Sequence, residues 1–269
     1  MTAKYHLRSP ASFFNYLTSS SVGLFPGGMS QKQVDTVNAI IEQMRDCRVE
    51  YVAYTLATAY HEPGPKSRMI PNRESLYYTT ASRIRKVWPS RFPSLASATP
   101  FVRSTKALAN KVYNGRLGNK VGSNDGYFYR GGGLDHLTGR EHYETESARQ
   151  NVNLVSNPDL ILDPKIAVSS LVHGMTTGRY REWCLEDFVS SSGFDYVQAR
   201  NIVNADAEQN GELIAGHARK FEAALKAGGY EQLPLQPVVP AVPVKPKPIT
   251  ESPVEDTWFN KILRFFGFI

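Results

Sequence analysis

The sequence predicts a mainly α fold. Apolar residues recur with helical period in several stretches, and the strict alternation that marks half-buried strands is scarce. Pro- and Gly-rich breaks cut these stretches into pieces of helix length.

The elements follow in order. Ser9 to Leu24 carries Phe13, Phe14 and Leu17 at helical spacing, and Phe25-Pro26-Gly27-Gly28 ends it. Ser30 is placed as an N-cap, followed by a stripe of Val34, Val37, Ile40, Ile41 and Met44. Tyr51 to Tyr60 is apolar enough to be a buried helix, and Pro63-Gly64-Pro65 stops it just past Glu62. Thr79 to Trp88 and Ser104 to Tyr113 read as further helices. Gly115 to Gly133 holds seven glycines and reads as loop, with at most a short hairpin near Tyr127 to Leu137. Pro164 to Thr176, Tyr196 to Val203 and Gln209 to Ala227 complete the helical set.

Composition shifts after Gly228-Gly229. Pro234 to Pro253 contains seven prolines among Val and Lys, a semi-rigid linker with polyproline character. The last fourteen residues place Trp258, Phe259, Ile262, Leu263 and Phe266 on one helical face, with Lys261 and Arg264 mostly off it. The division expected is a catalytic-size domain over residues 1–230, a linker over 231–255 and a basic amphipathic helix over 256–269. That helix is too short to span a bilayer. It suits an anionic membrane surface or a groove on another protein, such as a particle component.

The chain has 269 residues, 41% hydrophobic and 21% charged, which supports one domain of roughly 200 residues with appendages. A net charge of +6 favours acidic partners without choosing among them. Cys47 and Cys184 are too few for a disulfide framework or a cysteine metal site and read as thiols. No basic-then-apolar start marks a signal peptide, so synthesis in a cytoplasm is expected. His61, His136 and His142 lack the ligand spacing of zinc motifs, and Arg130 to Gly133 is not followed by the Lys-Ser/Thr of a phosphate loop. No metal, cofactor or nucleic-acid partner is expected.

The chemistry-bearing stretch runs from Tyr54 to Tyr143. Glu62 sits at a helix C-terminus, where the macrodipole disfavours an anion, as a proton donor requires. Glu74 follows twelve residues later and precedes the aromatic Leu76-Tyr77-Tyr78, suited to stacking on sugar faces. Thr138 follows a turn in which Gly131, Gly132 and Gly133 allow close backbone approach. Two carboxyls and a hydroxyl are the parts that split a glycosidic bond, one carboxyl protonated and one ionised. Glu62 is expected to keep its proton, and Glu74 to stay ionised in a wetter setting.

His61-Glu62, Glu74 to Thr79, Arg116-Leu117-Gly118-Asn119, Asp125 to Gly131, Leu137-Thr138-Gly139-Arg140, Tyr143, Asn157-Pro158-Asp159-Leu160 and Asp163-Pro164 together resemble the glycoside hydrolase family 19 chitinases. The branch most resembled is that of bacteriophage endolysins. Order and spacing match over residues 10 to 227. The resemblance implies a lysozyme-like, two-lobed helical fold with a central cleft. It implies Glu62 as general acid, Glu74 as general base and Thr138 as a holder of the attacking water. It also makes Asn201 and Asn204 cleft residues, and His61, Tyr78, Tyr129, Arg130, His136 and His142 candidate substrate contacts. Peptidoglycan glycan strands are the expected partner, with chitin as the alternative substrate. The expected setting is the bacterial wall after release from a host cytoplasm, or a virion. The chain departs from the family at Gly132, where an Arg is usual, and at Asp135-His136, where Ile-Gln is usual. It departs again at Pro63 and Pro65, and at Ala205-Asp206 in place of Gly-Gly. These departures raise the rival expectation of a binding or structural protein that has lost turnover.

Overall fold

The computed structural model describes residues 7–230. The proline-rich linker and the amphipathic tail lie outside the described residues. Within them the chain is mainly helical, as expected. It runs α1 (Pro10–Thr18), α2 (Gln31–Gln43), α3 (Val49–His61), β1 (Asn72–Arg73), α4 (Ala81–Val87), α5 (Leu95–Ala98), α6 (Thr105–Tyr113), α7 (Asp125–Phe128), β2 (Gly132–Gly133), α8 (Arg140–Gln150), α9 (Pro164–Thr177), β3 (Val189–Ser190), β4 (Gly193–Phe194) and α10 (Ala207–Ala227). Short 3-10 turns at Pro158–Leu162 and Gln198–Ile202 fill two of the connections. Among the described residues no helix is long and apolar enough to cross a membrane.

The helix starts follow from their caps. The Ser30 side chain accepts from the N–H of Gln33 while Gln33 reaches back to the Ser30 N–H, a capping box that opens α2. Asp163 caps α9 by accepting from the N–H groups of Lys165 and Ile166, with Pro164 in the first turn, where no amide hydrogen is needed. Gly178 then closes α9 in the left-handed region at φ 75°.

The apolar side chains separate into two lobes and a smaller joint. In the first lobe α3 is buried on nearly every face and packs along α10, with α1 laid on α10 and α2 on α9. Ala53, Ala57 and Ala59 on α3 and Ala215, Ala218 and Ala224 on α10 keep the two helices close. The second lobe gathers Tyr78, Ile84, Trp88, Phe92, Leu108 and Tyr113 from α4, α6 and their connections. Between them a third cluster holds Tyr129, Leu137, Tyr143, Leu154 and Ile161. Cys47 and Cys184 are free, half-buried thiols.

Strand content is small. β1 pairs antiparallel with β2, Asn72 opposite Gly133 and Arg73 opposite Gly132. A single bridge joins Gly132 to Leu137 across the tight turn in the predicted hairpin region. The β3–β4 hairpin was not expected, because two-residue strands leave no alternation to read.

Candidate active site

Glu62 is the residue just past α3 and is 5% exposed. Its Oε1 accepts from Nη1 of Arg200, which is itself fully enclosed. Arg200 turns its other edge to Asp206: Nε lies 2.5 Å from Oδ1 and Nη2 3.3 Å from Oδ2. Asn210 Nδ2 donates to Asp206 Oδ2 at 2.6 Å. Two buried carboxylates therefore share one guanidinium. With both ionised, the trio carries one negative charge in excess, which a single proton neutralises.

Glu74 leaves β1 and is 6% exposed. Its N–H donates to Gly131 O, and Nε of Arg130 donates to the Glu74 carbonyl, so the backbone is held from both sides. The carboxyl receives the Tyr113 hydroxyl, 2.8 Å from Oε2 and 3.1 Å from Oε1. Among the described residues no ion pair reaches this carboxyl. Burial pushes it up to about 8, against the opposing pulls of the Tyr113 hydrogen bond, the Gly131 amide and the Arg130 charge. The expectation of a wetter, ionised Glu74 is corrected here. The segment after Glu74 places Leu76 and Tyr78 in the second core and leaves Tyr77 between them 54% exposed.

His136 lies beside Glu74 and within electrostatic reach of Glu62. A Cβ built on Gly131 would lie 3.2 Å from His136 Cβ and 3.3 Å from Glu74 Cβ, so His136 and Glu74 flank that glycine. The imidazole Nε2 donates to Asn72 Oδ1 at 2.7 Å, and Asn72 Nδ2 donates to Pro63 O, directly after Glu62. Burial lowers the His136 pKa, outweighing the pull of Glu62 and Asp135, so the ring is neutral near pH 7. Thr138 Oγ1 donates to His136 O at 2.7 Å, and His142 Nδ1 donates to Thr138 O at 2.6 Å.

The unusual residues of the Gly-rich turn have structural partners. A Cβ on Gly132 would lie 2.6 Å from the Tyr143 hydroxyl and 2.9 Å from Arg73 Nη1. The guanidinium of Arg73 fills that space, donating to the Tyr143 hydroxyl and to the carbonyls of Arg130 and Phe128. Asp135 is buried, and its Oδ2 accepts from Ser170, Arg179 and Tyr180. Arg179 Nη1 also donates to Glu146 at 2.9 Å. This second buried ion cluster ties the turn carrying His136 and Thr138 to α8 and α9. Gly139 is needed for close approach: its φ is 95°, and a Cβ there would meet Leu117 Cβ at 2.3 Å.

A cavity of about 230 Å³ opens beside this turn, lined among others by His136, Thr138, His142, Arg179, Arg181 and Asn204. Four of the sequence-predicted residues thus meet at one cavity. Glu62 and Glu74 are not part of its lining. His61 lines a separate 70 Å³ pocket with Arg68 and His217, and burial with Arg200 nearby lowers its pKa to about 3. Tyr78 packs on Trp88. Tyr129 donates to Val155 O. Arg130 braces Glu74 and Tyr127, and Asn201 bonds Gln198. These four line none of the cavity at Thr138. Among the described residues no three His, Cys, Asp or Glu side chains converge to hold a metal ion.

Arg200, Asp206, Tyr113 and Asn72 were not among the sequence candidates. Arg200 immediately precedes the Asn201-Ile202-Val203-Asn204 segment that the resemblance singled out, and Asp206 is one of its departures. Those two neighbours were the available signal.

No family model matches the chain. A curated protein of Haemophilus influenzae, described as a glycosyl hydrolase family 19 domain-containing protein, is 32% identical over 108 residues. The match covers 40% of this chain, and the chain spans about half the length of that relative, 52%. Over those 108 residues the chain is distantly similar to that family 19 domain-containing protein.

Proposed function

We propose that the chain hydrolyses peptidoglycan glycan strands, cutting the β-1,4 bond between N-acetylmuramic acid and N-acetylglucosamine in one inverting displacement. The observation that supports this reading is the pair of differently partnered buried carboxyls, Glu74 beside His136 and Glu62 within electrostatic reach of it. Glu62 protonates the bridging oxygen with the one proton that neutralises the Glu62–Arg200–Asp206 trio. Glu74, once ionised, takes a proton from a water that the Thr138 hydroxyl helps to hold. That water attacks the anomeric carbon from the opposite face, which requires carboxyls about 6.5–9.5 Å apart. No cofactor takes part. Because burial raises Glu74 to about 8, the base is mostly protonated at neutral pH, and turnover should climb as pH rises through that value.

A second reading is a glycan-binding protein without turnover. The enclosure of Glu74 by Tyr113 and its burial favour it.

The test is release of new reducing ends from purified peptidoglycan by the wild type and by Glu62→Gln, with chitin oligomers in parallel and the product anomer followed by NMR. Inverted product from peptidoglycan, lost in the variant, is expected. Release from chitin alone would move the substrate and keep the mechanism. Sedimentation with the wall without release from either glycan would replace the hydrolase with the binding protein.

A further inference from the structure

The cavity beside Thr138 carries donors that nothing among the described residues answers. Arg179-Tyr180-Arg181 forms one wall of it. Arg179 and Tyr180 are spent on Asp135 and Glu146. Arg181, two residues on and half-buried, has no hydrogen-bond or ion-pair partner among the described residues. It sits within electrostatic reach of Asp206 and Arg200. Asn204 lines the same cavity, is 1% exposed, and has an Nδ2 with no acceptor. Its Oδ1 is already taken by the N–H of Ala205.

An unanswered guanidinium and an unanswered amide N–H₂ at one cavity call for an acceptor-rich anion. Burying unpaired donors is costly, and a guanidinium matches a carboxylate in both charge and geometry. A neutral N-acetylated sugar brings hydroxyls and an amide but no charge. We infer that Arg181, helped by Asn204, binds a carboxylate borne by the glycan strand, so that the cavity selects acidic peptidoglycan strands over neutral chitin. This rests on the glycan-hydrolase reading and names its specificity residue. The carboxylate has two sources: the lactyl group of a peptide-free muramoyl unit, and the stem peptide of a substituted one.

The test measures binding to the full-length chain in the cold, by calorimetry, alongside hydrolysis. The glycans are peptide-free strands with lactyl carboxylates, the same strands with those groups reduced to alcohols, peptide-bearing strands, and N-acetylglucosamine oligomers of equal length. The wild type should bind a carboxylate-bearing strand about tenfold or more tighter than the carboxyl-reduced one. Tightest binding to peptide-free strands assigns the lactyl group, and tightest binding to peptide-bearing strands assigns the stem. In Arg181→Gln the preference should collapse, and in Arg181→Lys part of it should remain. Equal affinity of the wild type for acidic and reduced strands overturns the inference, as does binding to neither, or a preference unchanged in Arg181→Gln. The wild-type comparison stands even if a variant fails to fold. Carboxylate-selective binding without hydrolysis would sink the hydrolase and leave the Arg181 assignment. Equal hydrolysis of acidic and neutral strands, without binding preference, would do the reverse.

Discussion

Glu62 and Glu74 are almost equally buried, 5% and 6% exposed, but their surroundings differ. Glu62 faces a guanidinium that it shares with Asp206, whereas Glu74 faces a phenol. At Glu62 an ionic partner offsets the desolvation of a carboxylate. At Glu74 a neutral hydrogen bond offsets only part of it, and the carboxyl shifts to about 8. Equal burial therefore does not mean equal electrostatic surroundings, and two carboxyls in one site can be tuned differently by their partners.

The largest effects should come from removing either carboxyl. If both transfer protons, Glu62→Gln and Glu74→Gln each lower kcat on peptidoglycan by about 10²–10⁴-fold. The assay is reducing-end release with folding checked by circular dichroism. A variant that keeps wild-type kcat would remove its residue from the chemistry and end the comparison on functional grounds.

Next is the shared cation. Arg200→Met strands Glu62 and Asp206 without a counter-charge and should destabilise the fold by about 3–5 kcal/mol. Adding Glu62→Gln and Asp206→Asn should recover much of that, because no buried charge is then left unpaired. Urea unfolding of the single and triple variants checks both. Equal loss in the two would mean that the Arg200 side chain matters for its packing and not for its charge.

Glu74 offers a pH signature of its own. Its folded value of about 8 lies above the ordinary 4.5, so the folded state holds the extra proton between them. Its contribution to stability is complete below about pH 4.5 and is lost as pH rises through about 8. Glu74→Gln removes that dependence. Relative to wild type, the variant should gain on the order of 2–4 kcal/mol between those limits, read as a rising difference in melting temperature. A flat difference would place the Glu74 carboxyl in contact with water.

Much of this was readable in the sequence where a local pattern existed. The stripes of α2 and the second half of α10, the Ser30 cap and the Pro-Gly break after Glu62 each depend on neighbours a few residues away. α8 left no stripe, since only Tyr143 and Glu146 along it are buried and Glu146 is held by Arg149 and Arg179. A helix anchored by a charged residue reads as exposed. The site divides in the same way. Glu62, Glu74 and Thr138 could be picked out by their own motifs. Arg200 and Tyr113 could not, because they lie 138 and 39 residues from the carboxyls they meet. Asp135 departs from the family pattern, yet Ser170, Arg179 and Tyr180, none of them near it in sequence, donate to its carboxylate.

The smallest effect tests how much the phenol itself does. Tyr113→Phe keeps the ring in the second core and removes the hydroxyl that donates to both oxygens of Glu74. A hydrogen bond to a carboxylate favours the ionised form, so its loss should make Glu74 harder to ionise. One such bond is worth about 1.5 kcal/mol, equivalent to about one pH unit. The rising limb of kcat/KM against pH should therefore move upward by about that much, with the rate above the limb little changed. The limb of Glu62→Asp should stay where the wild type has it, because the partner of Glu62 is Arg200 and not the Tyr113 phenol. If Tyr113→Phe leaves the limb in place, the rising limb belongs to a group other than Glu74. The comparison would then have to be rebuilt around the carboxyl shared with Arg200.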